Sequence, residues 1–195
     1  MGIVTDLILS GIAIGCVYGL IALGFVLVFK ATGIVNFAQG DLMMIGGFFA
    51  YTTVGIWGWP YWAGVPAAAV AAAAFGYLLD MTIFRRAIGR PEFSLIMLTL
   101  GLGYVLRTAA TAMPGWGSQP HRFATPFDDT VVRLAGHGIG ADRLAIIAVT
   151  LVLVIGLYLF FRFSVLGVAM QATAQNLVAA RLVGVPVKTM FSLVW

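Results

Sequence analysis

The chain has 195 residues, of which 62% are hydrophobic and only 9% charged, and its mean hydropathy is +1.04. Soluble domains carry about 25% charged and about 45–50% apolar residues, so a water-soluble fold of this size is excluded. The net charge of +4 comes from basic residues that stand singly or in one short cluster. They lack the stripe that a nucleic-acid backbone requires and read instead as anchors holding helix ends on one side of a bilayer.

In hydrocarbon every backbone polar group needs an internal partner, so the long apolar runs are predicted to be helices. The alternating strands of about ten residues that mark a membrane barrel are not seen. The first helix is predicted over residues 7–29, an apolar run of 23 residues. That length matches a span of roughly 30 Å. It is too long for the apolar part of a secretory leader, and no basic region precedes it, so it reads as a retained helix. Lys30 stops it and Gly33 is the expected terminator. Gly11, Gly15 and Gly19 share one of its faces, a spacing that lets a second helix approach closely, within the subunit or across an interface. Cys16, the only cysteine, lies inside this apolar run. It can form no internal disulfide and reads as packing.

The second helix is predicted over 34–56 and is unusually polar at its start. Asn36, Gln39 and Asp41 fall within about 10 Å of one end of the span at the α-helical rise. Asn36 and Gly40 share a face, with Gly47 further along it. Polar groups at such depth face a bundle interior or a water-filled cavity, which points to a cavity wall or a partly unwound start. The alternative is a polar cap for the first turn's free N–H groups. Interfacial aromatics follow at Trp57 and Trp59, beside Gly58 and Pro60.

The third helix is predicted over 61–84, rich in small residues at 67–69 and 71–74 and stopped by Arg85 and Arg86. The fourth covers 92–113. Arg107 lies about 9 Å from its far end, where it either snorkels to the interface or belongs to a solute path. A polar loop occupies 113–142. His121 and His137 lie in it without ligand-like company, so no metal site is expected. The fifth span is predicted over 143–161, a hydrophilic stretch runs over 162–188, and a sixth apolar segment then begins. Within the hydrophilic stretch, residues 168–183 read as one short amphipathic helix. Met170, Thr173, Leu177, Ala180 and Gly184 recur there at spacings of three and four. Gln171, Gln175 and Asn176 supply polar surface, and Gly184 followed by Pro186 stops the helix. A short, nearly uncharged helix of this kind either docks into a partner protein or lies on the membrane surface.

Placing the N-terminus outside puts Lys30, Arg85, Arg86, Arg90, Arg162, Arg181 and Lys188 inside. Arg122, Arg133 and Arg143 are then outside, as the positive-inside rule requires. The second, third and fifth spans read as uncharged through their centres, which argues against an ion-coupled carrier. A passive channel and a non-transporting scaffold are the other rivals. A phosphate-binding Walker loop needs Gly-Lys before Ser or Thr. Lys30 follows Phe29 and Lys188 follows Val187, so any ATP must be hydrolysed by another subunit.

Residues 19–29, GLIALGFVLVF, and 33–42, GIVNFAQGDL, closely resemble the permeases of bacterial branched-chain amino acid ABC importers. Residues 167–185, GVAMQATAQNLVAARLVGV, look like that family's cytoplasmic coupling segment. The resemblance covers nearly the whole chain in order, and urea and short-chain amide permeases share much of it. It implies an all-α, polytopic transmembrane helical bundle of the ABC-importer permease type, with five complete spans plus the start of a sixth. Residues 1–195 would form a single permease domain, with an extracytoplasmic loop at 113–142 and a cytoplasmic coupling segment at 164–190. Family permeases continue past residue 195, so a C-terminally incomplete subunit is expected.

By the same resemblance, the chain would sit in the bacterial inner membrane with its N-terminus periplasmic. It would be a transport subunit, not an enzyme, moving branched-chain amino acids, with urea or a short-chain amide as the alternative solute. The implied partners are two ATP-binding subunits, a homologous second permease subunit, a periplasmic substrate-binding protein and membrane lipid, with no nucleic acid. No catalytic residue, cofactor or metal is expected. Asn36, Gln39, Gly40 and Asp41 are the translocation-path candidates. Gly167, Asn176, Leu177, Ala180, Arg181 and Gly184 are the candidates for coupling to the ATPase.

Overall fold

The computed structural model describes residues 2–32, 35–87, 90–117, 119–123, 125–127, 130–134 and 137–194. Gly33 and Ile34, expected to end the first helix and open the second, lie outside the described residues. Among the described residues four helices are long and apolar enough to cross a membrane: Leu7–Lys30, Tyr61–Ala87, Phe93–Ala112 and Ala141–Phe163. They correspond to the first, third, fourth and fifth predicted spans, and the chain is a multi-pass membrane protein. It divides into two compact units, Met1–Gly24 with Ala124–Val168, and Phe25–Phe123 with Ala169–Trp195.

The first unit holds most of α1 (Gly2–Thr32), a hairpin, α6 (Ala141–Phe163) and the start of α7 (Val165–Gln175). The hairpin pairs β1 (Val131–Leu134) with β2 (His137–Gly140) in antiparallel register, Val131 opposite Gly140 and Leu134 opposite His137. The bundle is all-α as expected, and the loop predicted over 113–142 contains this small sheet. The Ala141 N–H donates to the Thr130 carbonyl at 3.0 Å, joining the hairpin to the start of α6. α6 ends where Ser164 turns extended, and α7 begins at the next residue. A Cβ on Gly167 would lie 2.3 Å from the Phe160 carbonyl oxygen and 2.7 Å from Phe161 Cα. Only glycine lets these two backbones approach so closely at the corner. Among the described residues of this unit, no atom outside the helix's own backbone lies within 4 Å of where a Cβ would stand on Gly11, Gly15 or Gly19.

The second unit is built on α2 (Gln39–Ala50), α3 (Tyr61–Leu79) and α5 (Glu92–Ala112). Its core joins Ala38, Ile45, Leu79, Phe84, Leu102, Leu106 and Ala110. α2 continues as a π-helix over Tyr51–Ile56, and α3 as a π-helix over Asp80–Phe84 and a short α4 (Arg85–Ala87). Small residues let these helices close on one another. A Cβ on Gly64 would lie 2.5 Å from Val54 Cγ2, and the Gly64 carbonyl accepts from Thr53 Oγ1 at 2.9 Å. Trp116 stacks on Phe48 at 4.8 Å and donates its indole N–H to Thr52 Oγ1 at 2.9 Å. His121 packs on the Tyr51 ring at 4.3 Å and hydrogen-bonds the Trp116 carbonyl, which gives it a packing role.

Two predicted helices are corrected. The helix expected over 34–56 starts only at Gln39, and residues 35–38 are not helical. Asn36 is responsible: its Oδ1 accepts the Ala38 N–H at 3.0 Å, a local bond that competes with helical pairing. The helix expected over 168–183 is two helices, α7 and α8 (Leu177–Leu182). Asn176 is extended (φ −153°) and caps α8, its Oδ1 accepting the Val178 and Ala179 N–H groups at 3.1 and 3.0 Å. Asparagine is among the strongest N-caps, so a residue assigned to polar surface breaks the helix instead. Gly184, at φ +85°, ends α8. The Val185 N–H then returns to the Ala180 carbonyl at 3.0 Å, in the pattern of a Schellman stop. α9 (Val187–Val194) follows.

Candidate translocation site

The polar turn before α2 is held from the side by α5. Thr99 is fully buried. Its Oγ1 accepts the Phe37 N–H at 3.3 Å and lies 3.0 and 3.5 Å from the Ile96 and Val35 carbonyls. Asn36 is 1% exposed. Besides its bond to Ala38, its Nδ2 donates to Gln39 Oε1 at 3.4 Å. The turn's polar groups are therefore paired within the turn and with Thr99 of α5.

One turn on, Asp41 reaches across to α5. Arg107 donates from Nε at 3.1 Å and from Nη2 at 2.9 Å, both to Asp41 Oδ1. Gly103 lies between, and a Cβ there would stand 2.5 Å from Asp41 Oδ2 and 3.7 Å from Ala38 Cα. Gly103 is one residue past the midpoint of the 21-residue α5. Asp41 thus sits against the middle of α5. Arg107 is paired with an acid while its side chain stays 65% exposed. A cleft of about 150 Å³ opens beside the pair, lined by Phe37, Asp41, Leu100, Gly103, Tyr104 and Arg107. Gln39 is half-buried and Gly40 exposed, and neither is among the residues that line the cleft.

A second acid–arginine cluster lies at the far end of α3. Asp80 is 1% exposed. Its Oδ2 accepts Arg85 Nε at 3.0 Å and the Ser192 hydroxyl of α9 at 2.6 Å. Arg85 Nη2 also donates to Ser192 Oγ. The π-turn makes the first of these bonds possible, because i→i+5 pairing stacks residue 85 over residue 80. The Arg85 N–H bonds the Asp80 carbonyl in the same way. Asp80 Oδ1 is buried with no hydrogen-bond partner among the described residues. Sequence reasoning missed Asp80 by treating the third span as uncharged, although an acid five residues before an arginine was there to be seen. Thr99, Gly103 and Ser192 carried no signal of their own, since each matters only through a residue distant in sequence.

The coupling candidates take several structural roles. Gly167 makes the corner between α6 and α7, Asn176 caps α8, and Leu177 opens α8. Ala180 is 3% exposed and faces inward, whereas Arg181 is exposed and Gly184 terminates the helix. Among the described side chains, Val178, Leu182 and Val183 are large apolar ones that α8 and its end leave bare.

Comparison with known proteins gives this geometry a context. Residues 7–195 match the family model described as the permease component of branched-chain amino acid transport systems. Relatives include the high-affinity branched-chain amino acid transport system permease protein BraD of Pseudomonas aeruginosa. It is 27% identical over 190 residues, a match covering 91% of this chain and 61% of BraD. The permease protein LivH of the same type of system in Escherichia coli K12 is 26% identical over 190 residues, covering 90% of this chain and 60% of LivH. The chain spans about three-fifths of the length of the curated relatives it matches. No solved structure matches it. With a family match running from the first span to the last residue, the chain belongs to the permease-component family of branched-chain amino acid transport systems.

Proposed function

We propose that this chain is part of the membrane-spanning permease subunit of an ATP-driven importer that carries branched-chain amino acids across the bacterial inner membrane. The observation that carries this reading is the polar turn at Asn36–Asp41, ion-paired against the middle of α5 and open to a cleft. Discontinuous helices with unwound segments near the bilayer midplane are where transporters build solute sites. Polar groups within an apolar bundle are costly to bury unpaired, and a solute path gives Asn36 and Asp41 a use there beyond packing. The substrate class follows from the names of the relatives.

In this reading α2 with its π-turn is a fifth, interrupted span, and α9 begins a sixth. The N-terminus and residues 113–142 are periplasmic, and residues 164–190 are cytoplasmic, in line with the seven-to-three distribution of basic residues. Asn36, Gln39, Gly40 and Asp41 line the path. α7 and α8 receive the stroke of an ATP-binding subunit. The contact surface on α8 is formed by Val178, Arg181, Leu182 and Val183, while Ala180 holds the helix in place from beneath. Two ATP-binding subunits, a second permease subunit and a periplasmic binding protein complete the importer. The test is uptake into proteoliposomes holding the full-length subunit with these partners. ATP-dependent accumulation of labelled leucine is expected, and accumulation of urea without leucine would overturn the reading.

A further inference from the structure

We infer that Asp80, Arg85 and Ser192 form a two-position latch that carries movement of α8 into the third span. This rests on the proposed function, in which α8 receives the stroke of an ATP-binding subunit.

The connection from α8 to the latch has little slack. Residues 183–186 alone separate α8 from α9. The Val183, Gly184 and Val185 N–H groups bond back to α8 carbonyls at 3.2, 3.1 and 3.0 Å. The Pro186 carbonyl then accepts the Thr189 N–H of α9 at 2.9 Å. A displacement of α8 therefore moves α9 with it. Met190 and Ser192 of α9 are buried, and Ser192 reaches Asp80 near the end of the span Tyr61–Ala87.

The cluster itself supplies the second position. An arginine and a carboxylate with no third partner favour a fork, two parallel bonds with one to each oxygen. Here Arg85 Nε takes Asp80 Oδ2, but Nη2, the donor that a fork would send to Oδ1, goes to Ser192 Oγ. Ser192 in turn donates to Oδ2, and Oδ1 is buried without a partner among the described residues. Ser192 thus holds the pair off its fork. A hydroxyl can do this because it accepts from the arginine and donates to the acid at once. When α9 draws Ser192 away, Nη2 turns to Oδ1 and the pair closes on itself, so neither charge is stranded in the bundle. The Tyr77 ring, 5.8 Å from the Arg85 guanidinium, keeps it beside Asp80 in both positions. Release breaks two bonds to charged groups and makes one. The latched position is therefore favoured at rest, and the stroke supplies the difference. The two bonding patterns exclude each other, which makes the joint a switch and not a soft contact.

The experiment measures leucine accumulated per ATP hydrolysed by the full-length subunit with its ATPase and binding-protein partners in proteoliposomes. Ser192→Ala removes the hydroxyl and is expected to lower this ratio about threefold or more, while hydrolysis stimulated by leucine-loaded binding protein continues. Ser192→Thr keeps the hydroxyl and is expected to restore the ratio. An unchanged ratio in Ser192→Ala, or an equal fall in Ser192→Thr, overturns the latch. Arg85→Lys keeps the charge but cannot form the fork, so a lowered ratio is expected there too, and normal coupling overturns the latch. If neither Ser192→Ala nor Arg85→Lys assembles, the cluster is a static clamp and the latch is overturned as well. An unsubstituted importer that accumulates no leucine overturns the proposed function itself, a result distinct from all of these.

Discussion

The two acid–arginine clusters of the second unit use the same chemistry for different ends. Asp41 and Arg107 join residues 66 positions apart, and the Arg107 side chain is 65% exposed. Asp80 and Arg85 share a single π-turn, Asp80 is 1% exposed, and Ser192 closes the cluster from α9. The first pair borders a cleft and is open on the arginine side. The second takes Arg85 and a hydroxyl 112 residues away on one oxygen and leaves its other oxygen buried without a partner among the described residues. The contrast teaches that a charge within a membrane helix does not declare its role by its identity. What separates the two pairs is that the first is open to a cleft, whereas the second is enclosed as a joint between helices.

The largest test breaks the closed cluster. Asp80→Ala leaves Arg85 without its acid, and loss of one partner from a buried pair costs about 3–5 kcal/mol. A strongly lowered unfolding temperature in detergent is expected. A smaller loss than for Asp41→Ala would reverse the comparison. Ser192→Ala removes the hydroxyl that bridges both charged groups. Hydrogen bonds to charged groups contribute about 1.5–3 kcal/mol, so chemical denaturation is expected to report a fall in that range.

Gly103→Ala sharpens the difference from the open side. The added methyl meets the far end of the Asp41 side chain, 2.5 Å away, and a carboxylate can swing aside more cheaply than backbone. The expected stability loss is about 1 kcal/mol, at the low end of overpacking, with leucine uptake falling clearly further than stability does. Equal falls in both would mean that the glycine serves packing alone. Thr99→Val keeps the shape and deletes the hydroxyl that accepts the Phe37 N–H. A loss of about 1 kcal/mol is expected, with faster amide exchange at Phe37 as the specific readout.

Much of the bundle was legible in the chain itself. The predicted spans at 61–84 and 92–113 meet helices at Tyr61–Ala87 and Phe93–Ala112, because a helix in lipid must satisfy its own backbone and so declares itself by a local apolar run. The polar start of the second span was legible as an irregularity, and Asn36 gave it a local cause. The break at Asn176 was present too, as a strong cap residue, but the amphipathic spacing on either side masked it. The π-turn at Asp80–Phe84 left no such mark.

What the sequence alone determined is therefore the set of apolar segments, their order and the family likeness carried by residues 19–42 and 167–185. Each depends on neighbours within a few turns. The tertiary structure decided which charge meets which: Asp41 with Arg107 across Gly103, and Asp80 with Ser192 beyond its own π-turn. Periodicity tells which face of a helix is apolar, but the partner on that face is chosen only when two helices pack. A carboxylate inside an apolar bundle is held in place by whichever donor that packing brings within about 3 Å.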